Sequence, residues 1–464
     1  MSIGKGRVDD AFVRIPVGPS NSSAPSTSYS AENAPLLRKP SMDRATVQQV
    51  HERIPGRSTF NQTLFNAGAM LLGIGILSEP LAFSYAGWIA GAILMGFYGY
   101  ITCYTAKFLA RVVASDPRIR SYADIGQKAF GPRSSLLIST VFCIEMFGVS
   151  VILVTLFADS LRVLIPEFSP TTYKVMSLII LIPSVFVPLS LLSYTSLLGI
   201  FSTISLIAVI FFDGLSKADA PGSLISPAET SFLFASWDKL GMAFGLFMAG
   251  FGAHCGIPAL VLDMEDPKRF DEAMDYAFCF ATIFYTLIGI AGYLMFGDSV
   301  HEEISQNLLG VAGYSPALNK VVLWMLVITP LTKFPLTTRP LNLTFEAMWG
   351  LDTYTHSESE ESHKAHANSA KLLANQAMKH ALITVERTLI ALFAVAVSIL
   401  VPDFSSLMAI LGSFSAFLLC VIGPVAAKMA IEGGRNGKDM FFITTAALMA
   451  AWGTVIAVSS AWAR

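Results

Sequence analysis

Apolar runs of roughly the 20 residues needed to cross a bilayer recur along this chain, separated by shorter polar stretches. They predict about eleven membrane-spanning helices, near 62–83, 87–108, 135–159, 173–191, 194–213, 240–262, 275–296, 320–345, 382–401, 405–427 and 440–462. Two of these runs are broken. The first is interrupted from Gly73 through Gly75 and Ser78 to Pro80, and the sixth from Gly250 through Gly252 and Gly256 to Pro258. Irregular backbone at membrane depth is tolerated only where protein or a water-filled cavity satisfies the freed N–H and C=O groups. When corresponding spans of two halves are both interrupted by Gly and Pro, the pattern implies an inverted-repeat carrier with its solute held between the half-helices.

Composition narrows the picture further. Hydrophobic residues make up 53% of the chain and charged residues only 14%, too apolar a balance for a soluble domain. A net charge of -2 gives no nucleic-acid footprint. Cys103, Cys143, Cys255, Cys279 and Cys420 all fall within predicted spans without CxxC spacing, so they read as small buried apolar residues and not as disulfides or metal ligands. No metal or cofactor is expected. HExxH, GxSxG and paired-acid patterns are absent, which argues against an enzyme.

Lys and Arg cluster in the N-terminal tail, in the loop after span two (Arg111, Arg118, Arg120, Lys128, Arg133) and in the loops after spans six, eight and ten. The other side holds scattered charges such as Arg162, Lys174, Lys217, Lys239 and Lys320. By the positive-inside rule the N-terminus is cytosolic. Residues 1–59, rich in Ser, Pro and Ala, read as a disordered cytosolic tail, and 60–464 as the transmembrane domain. Within the tail, Glu32 followed by Leu36 and Leu37 has the form of an acidic dileucine sorting signal, for which a sorting adaptor would be the partner. A polar segment at 346–380 reads as a cytosolic linker. Its His356, His363 and His366 leave metal binding open beside the reading as a solvated linker open to phosphorylation.

Ionisable residues inside spans require a reason, since each costs at least ~2.5 kcal/mol at the bilayer centre. Glu79, Glu145, His254 and Lys333 stand out. His254, in the second break, is open to hydrogen bonding with a substrate or with the unwound backbone. Glu79 is a candidate gate or proton acceptor; Glu145 is a candidate relay carboxylate or a structural acid. Lys333, between Pro330 and Pro335, is a candidate for proton coupling or for an ion pair that fixes packing. Arg387, near the start of span nine, is expected to snorkel to the interface.

Several motifs are then recognisable together. Asn66-Ala67-Gly68 leading into Leu72-Gly73-Ile74-Gly75-Ile76-Leu77-Ser78, with Tyr85-Ala86-Gly87-Trp88 beyond, resembles the first span of the amino acid/auxin permease family, especially its fungal vacuolar amino-acid transporters. Phe251-Gly252-Ala253-His254, Met264-Glu265-Asp266-Pro267, Gly292-Tyr293-Leu294-Met295-Phe296-Gly297-Asp298, Pro330-Leu331-Thr332-Lys333-Phe334 and Glu386-Arg387-Thr388 extend the likeness over about residues 60–460. Glu79 departs from it, because relatives more often carry an apolar residue there.

The resemblance implies an all-α integral membrane protein of about eleven transmembrane helices, a LeuT-like 5+5 inverted repeat plus one extra helix. It implies a proton-coupled secondary active transporter of neutral amino acids in the vacuolar membrane, with the plasma membrane as the alternative address and an amino-acid sensor of the same fold as the alternative function. Amino acid, protons and membrane lipid are the implied partners. A zwitterion needs donors for its carboxylate and acceptors for its ammonium, and half-helix termini supply both. Gly73, Ile74, Gly75, Ile76, Gly250, Phe251, Gly252 and His254 are therefore the expected substrate-binding residues, with Lys333, Glu79 and Glu145 as proton-coupling residues.

Overall fold

The computed structural model of the protein describes residues 56–187, 189–349 and 369–462. Among these the chain is helical, without β-strands. In order the helices are α1 (Phe60–Leu71), α2 (Glu79–Ser115), α3 (Tyr122–Phe130), α4 (Arg133–Leu164), α5 (Pro170–Ser184), α6 (Leu189–Ser216), α7 (Trp237–Gly250) and α8 (Ile257–Asp263). They continue as α9 (Phe270–Phe296), α10 (Ile304–Asn307), α11 (Pro316–Met348), α12 (Ser369–Leu400), α13 (Phe404–Leu411), α14 (Gly423–Glu432) and α15 (Gly437–Trp462). The expected tail with Glu32, Leu36 and Leu37, and the histidines of the linker, lie outside the described residues.

Nine helical segments among the described residues are long and apolar enough to cross a membrane. The longest, Ile74–Ser115, covers the second half of predicted span one and all of span two, joined through a bend instead of a loop. Gly87 makes the bend, at φ +70°, where a Cβ would also stand 2.5 Å from Leu233 O. The N–H groups freed there are not orphaned. Trp88 N donates to Ser231 O at 3.2 Å and Ile89 N to Phe232 O at 3.1 Å. Where span four was expected over 173–191, α5 ends at Ser184 after Pro183, so this helix has only 15 residues.

Large apolar side chains face outward along the helices, with Leu137 69%, Ile179 74% and Val455 66% exposed. A belt of this extent is stable only against lipid. With lipid as apolar as leucine, close packing and satisfied polar groups hold the helices together instead of water exclusion. One such polar contact corrects the expectation for Arg387. Its guanidinium does not snorkel but forms a two-pronged pair with Glu346 Oε1 on α11, at 2.9 Å from Nε and 2.7 Å from Nη2. Lys174, expected among scattered flanking charges, is likewise 2% exposed and donates to Ser398 O at 2.6 Å, capping the end of α12. Of the cysteines, Cys420 is buried as expected, whereas Cys279 is exposed on α9.

Glu346→Ala would leave the Arg387 guanidinium without its carboxylate. It is expected to destabilise the protein by on the order of 3 kcal/mol, and the double variant with Arg387→Met should recover part of that loss. Thermal unfolding in detergent checks this; equal melting of Glu346→Ala and wild type would refute it.

The start of α1 and the end of α8 are tied by a short bridge in which Ser58 N donates to Asp263 O at 2.7 Å and Glu265 N to Ser58 O at 2.9 Å. Helix α1 begins with a capping box, Thr59 N donating to Gln62 Oε1 at 2.9 Å while Gln62 N donates to Thr59 Oγ1 at 3.4 Å. This bridge and cap set where α1 enters the fold, and so where its broken end lies.

Candidate functional site

The two breaks form as glycine and proline dictate. Helix α1 stops at Leu71, Gly73 turns the chain (φ -103°, ψ -153°), and a tight turn over Ile74–Ser78 leads into α2. Pro80 lies in the first turn of α2, where no intrahelical N–H is needed. Helix α7 stops at Gly250, a turn over His254–Gly256 follows, and α8 begins with Pro258 in its first turn. The interruptions thus run over Leu72–Ser78, starting one residue before the expected stretch, and over Phe251–Gly256, inside the expected one.

The breaks touch each other at backbone distance. A Cβ on Gly75 would stand 2.7 Å from Gly250 Cα and 3.0 Å from Gly250 N. Beside this contact lies a cavity of about 150 Å³. The first break contributes Gly73, Ile74 and Gly75 to its wall, and the second contributes Gly250 and Gly252. Glu145 from α4 and Lys333 and Thr337 from α11 bring polar groups, while Val149, Leu153, Met408 and Leu411 bring apolar ones. Carbonyls left over at the ends of α1 and α7 carry the negative poles of those helices, and Lys333 brings its amine to the same wall as a donor. The wall can therefore meet an ammonium and a carboxylate without a metal.

The other expected site residues take different places. Ile76 and Phe251 are 1% and 0% exposed and pack into the protein, Phe251 edge-on to Tyr285 with ring centres 5.3 Å apart. His254 sits in the second break yet outside the cavity wall. Its Nε2 lies 2.9 Å from Thr105 Oγ1 and 3.0 Å from Thr102 O, both on α2. Glu79 opens α2 behind the cavity, and both its carboxyl oxygens are buried without a hydrogen-bond partner among the described residues. A Cβ on Gly250 would stand 3.1 Å from Glu79 Oε1. Glu145 Oε2 accepts a long bond from Cys255 Sγ at 3.9 Å.

Tyr285 of α9 was not singled out in the sequence. Fully buried, it directs its hydroxyl to Leu71 O, the last carbonyl of α1, and to Gly250 O, the last carbonyl of α7, the latter at 2.7 Å. The available signal was weak: a tyrosine within a span whose hydroxyl needs a partner.

The sequence matches the family model described as transmembrane amino acid transporter protein over residues 56–463. This chain belongs to that family. Among its relatives in Arabidopsis thaliana, amino acid transporter AVT1D is 29% identical over 422 residues, spanning 87% of this chain and 70% of the relative. Amino acid transporter AVT1J is 28% identical over 389 residues, spanning 82% and 84%. In three dimensions this family member resembles the inward-facing conformation of Mhp1, with a TM-score of 0.51, 15% identity and coverage of 88% of this chain and 91% of that one. The likeness shows the fold, the LeuT-like one expected from the sequence. As a member of this amino acid transporter family, the chain is not an enzyme.

Proposed function

We propose that this transporter moves neutral amino acids across the vacuolar membrane by alternating access, driven by the proton gradient, with the cavity between the two breaks as its substrate site. The observation that carries the reading is the meeting of the two breaks at one small cavity, where Gly73, Gly75, Gly250 and Gly252 expose main chain to the space. Main-chain donors and acceptors recognise what every amino acid has in common. The apolar part of the wall, Val149, Leu153, Met408 and Leu411, favours an uncharged side chain. Glu145 and Lys333 on the same wall are the candidate proton carriers, with Glu79 behind it.

The distribution of Lys and Arg supports a cytosolic N-terminal tail, and the dileucine pattern supports an endomembrane address. Leu36→Ala with Leu37→Ala is expected to shift the tagged protein from the vacuole to the plasma membrane with transport per molecule unchanged. Unaltered vacuolar fluorescence of the double variant would refute the sorting role.

Uptake of radiolabelled amino acids into proteoliposomes under an imposed pH gradient tests the proposal as a whole. A transporter accumulates a neutral amino acid above equilibrium and stops when the gradient is collapsed by a protonophore. A sensor of the same fold binds without accumulation, and that outcome would overturn the reading.

A further inference from the structure

We infer that Tyr285 is a positioning residue, whose phenol ties the two broken helices together and so sets the spacing of the carbonyls that receive the substrate ammonium. This rests on the reading of the cavity as the amino-acid site.

The last four carbonyls of a helix lack intrahelical donors and carry its negative pole. At the end of α1, Leu72 N returns to Gly68 O at 2.8 Å and Gly73 N to Leu71 O at 2.7 Å. At the end of α7, Phe251 N returns to Met248 O at 3.1 Å. Gly250 O is left to Tyr285, and the same hydroxyl also reaches Leu71 O. Two negative helix ends, separated by 179 residues of chain as the difference of 250 and 71, thus converge on one phenol. No other described side chain hydrogen-bonds to both.

A phenol has one proton and here two acceptors. It can donate to only one carbonyl at a time; Leu71 O keeps the Gly73 N–H in either case, so Gly250 O is the acceptor left over whenever the phenol turns to Leu71 O, until another donor comes. An ammonium entering beside Gly73 and Gly250 is such a donor. Gly250 O thus depends on the phenol alone when the site is empty, and an amine that occupies it frees the phenol for Leu71 O.

The ring itself has little freedom to follow a moving helix. Phe251 meets it edge-on, and a Cβ on Gly250 would stand 3.0 Å from its Cε2, so a side chain at 250 would press on the ring. On the same face of α9, Gly289 and Gly292 lie directly against Phe83 and Pro80 of α2, where added Cβ atoms would stand 2.4 Å and 2.5 Å away. Helix α9 thus holds the start of α2 with two glycines and the ends of α1 and α7 with one tyrosine.

Tyr285→Phe removes the donor and keeps the ring. With the full-length protein in proteoliposomes, the probe is the amino acid, of the twenty, that wild type takes up best, and its des-amino carboxylate serves as competitor. The expected result is a KM raised about tenfold for the amino acid, with inhibition by the des-amino carboxylate changed by less than about twofold. A purely structural tyrosine would weaken both alike. An unchanged KM, or equal weakening of the two ligands, overturns the proposal. If wild type takes up none of the twenty, the substrate reading falls and this inference with it, whereas normal wild-type uptake with an unaffected Phe variant overturns the role of Tyr285 alone. Should Tyr285→Phe fail to fold, fluorotyrosine incorporated at 285 preserves shape and strengthens the donor. A shift in affinity for the amino acid and none for the carboxylate then supports the proposal, and equal affinities with native tyrosine overturn it.

Discussion

Gly75→Val is expected to abolish amino-acid uptake, with a loss on the order of a hundredfold or more. The reason lies in what a side chain at 75 would strike. Its Cβ alone would stand 2.7 Å from Gly250 Cα, and the obstacle is main chain, which cannot rotate aside as a flexible side chain does. The two breaks would have to separate, pulling the first away from the carbonyl of Gly250 and opening the cavity wall. Valine adds a stiff χ1 to this, and overpacking of such a contact typically costs about 1–3 kcal/mol. Gly252, the other glycine whose substitution follows from the broken-helix pattern, behaves differently. A Cβ there would lie 3.5 Å from Ala249 O and 3.5 Å from Glu145 Oε1, at ordinary contact. Gly252→Val is therefore expected to block uptake by filling the cavity while the melting temperature stays near that of wild type. Gly75→Val should lose both. Near-normal uptake by the two variants would remove the cavity from consideration as the substrate site.

What the sequence reveals of this architecture, and what it hides, follows from the solvent. A break in an apolar run is legible because Gly73, Gly75 and Pro80 in one span and Gly250, Gly252 and Pro258 in another combine glycine with proline at corresponding places, which packing alone does not require. The direction in which a side chain points is not legible, because helices surrounded by lipid and by other helices are apolar on nearly every face and offer no polar stripe to orient them. His254 illustrates the difficulty: its place in the second break is plain from the sequence, yet only the packing of α2 turns it to Thr102 and Thr105 and away from the cavity. Glu79 is similarly one residue beyond a break and still outside the wall. Partners distant along the chain are equally hidden, as with Arg387 and Glu346 or Tyr285 and Leu71. Helix α3 is a different omission. Its capping box, in which Ser121 and Asp124 bond reciprocally, is a local signal that the long apolar runs on either side overshadow.

Lys333 lies where coupling to a cation can be tested most directly. It lines the cavity from α11, in a helix that carries Pro330, Pro335 and Pro340, and its stem packs against Gly199 of α6, where a Cβ would stand 2.8 Å from Cε. An ammonium on this side chain would place at the cavity the positive charge that a sodium ion brings beside broken-helix carbonyls, and unlike sodium it can come and go as a proton. Two consequences are expected. Wild-type uptake should persist with sodium replaced by choline, and it should follow an imposed pH gradient. Lys333→Met, which keeps much of the length and cannot carry a proton, should lose gradient-driven accumulation by at least about tenfold while retaining exchange of labelled for unlabelled amino acid; with each tenfold corresponding to about 1.4 kcal/mol, a loss of that size lies within what one ionised hydrogen-bonding group contributes. A lysine that served packing alone would fail otherwise: its loss would lower thermal stability and abolish accumulation and exchange together. Gly199→Ala provides the intermediate case, since the added methyl presses on a flexible stem and displaces the ammonium without removing it. Its accumulation should fall between those of wild type and Lys333→Met. Full accumulation by Lys333→Met under a pH gradient, or a strict requirement for sodium in the wild type, would show that the driving ion enters elsewhere.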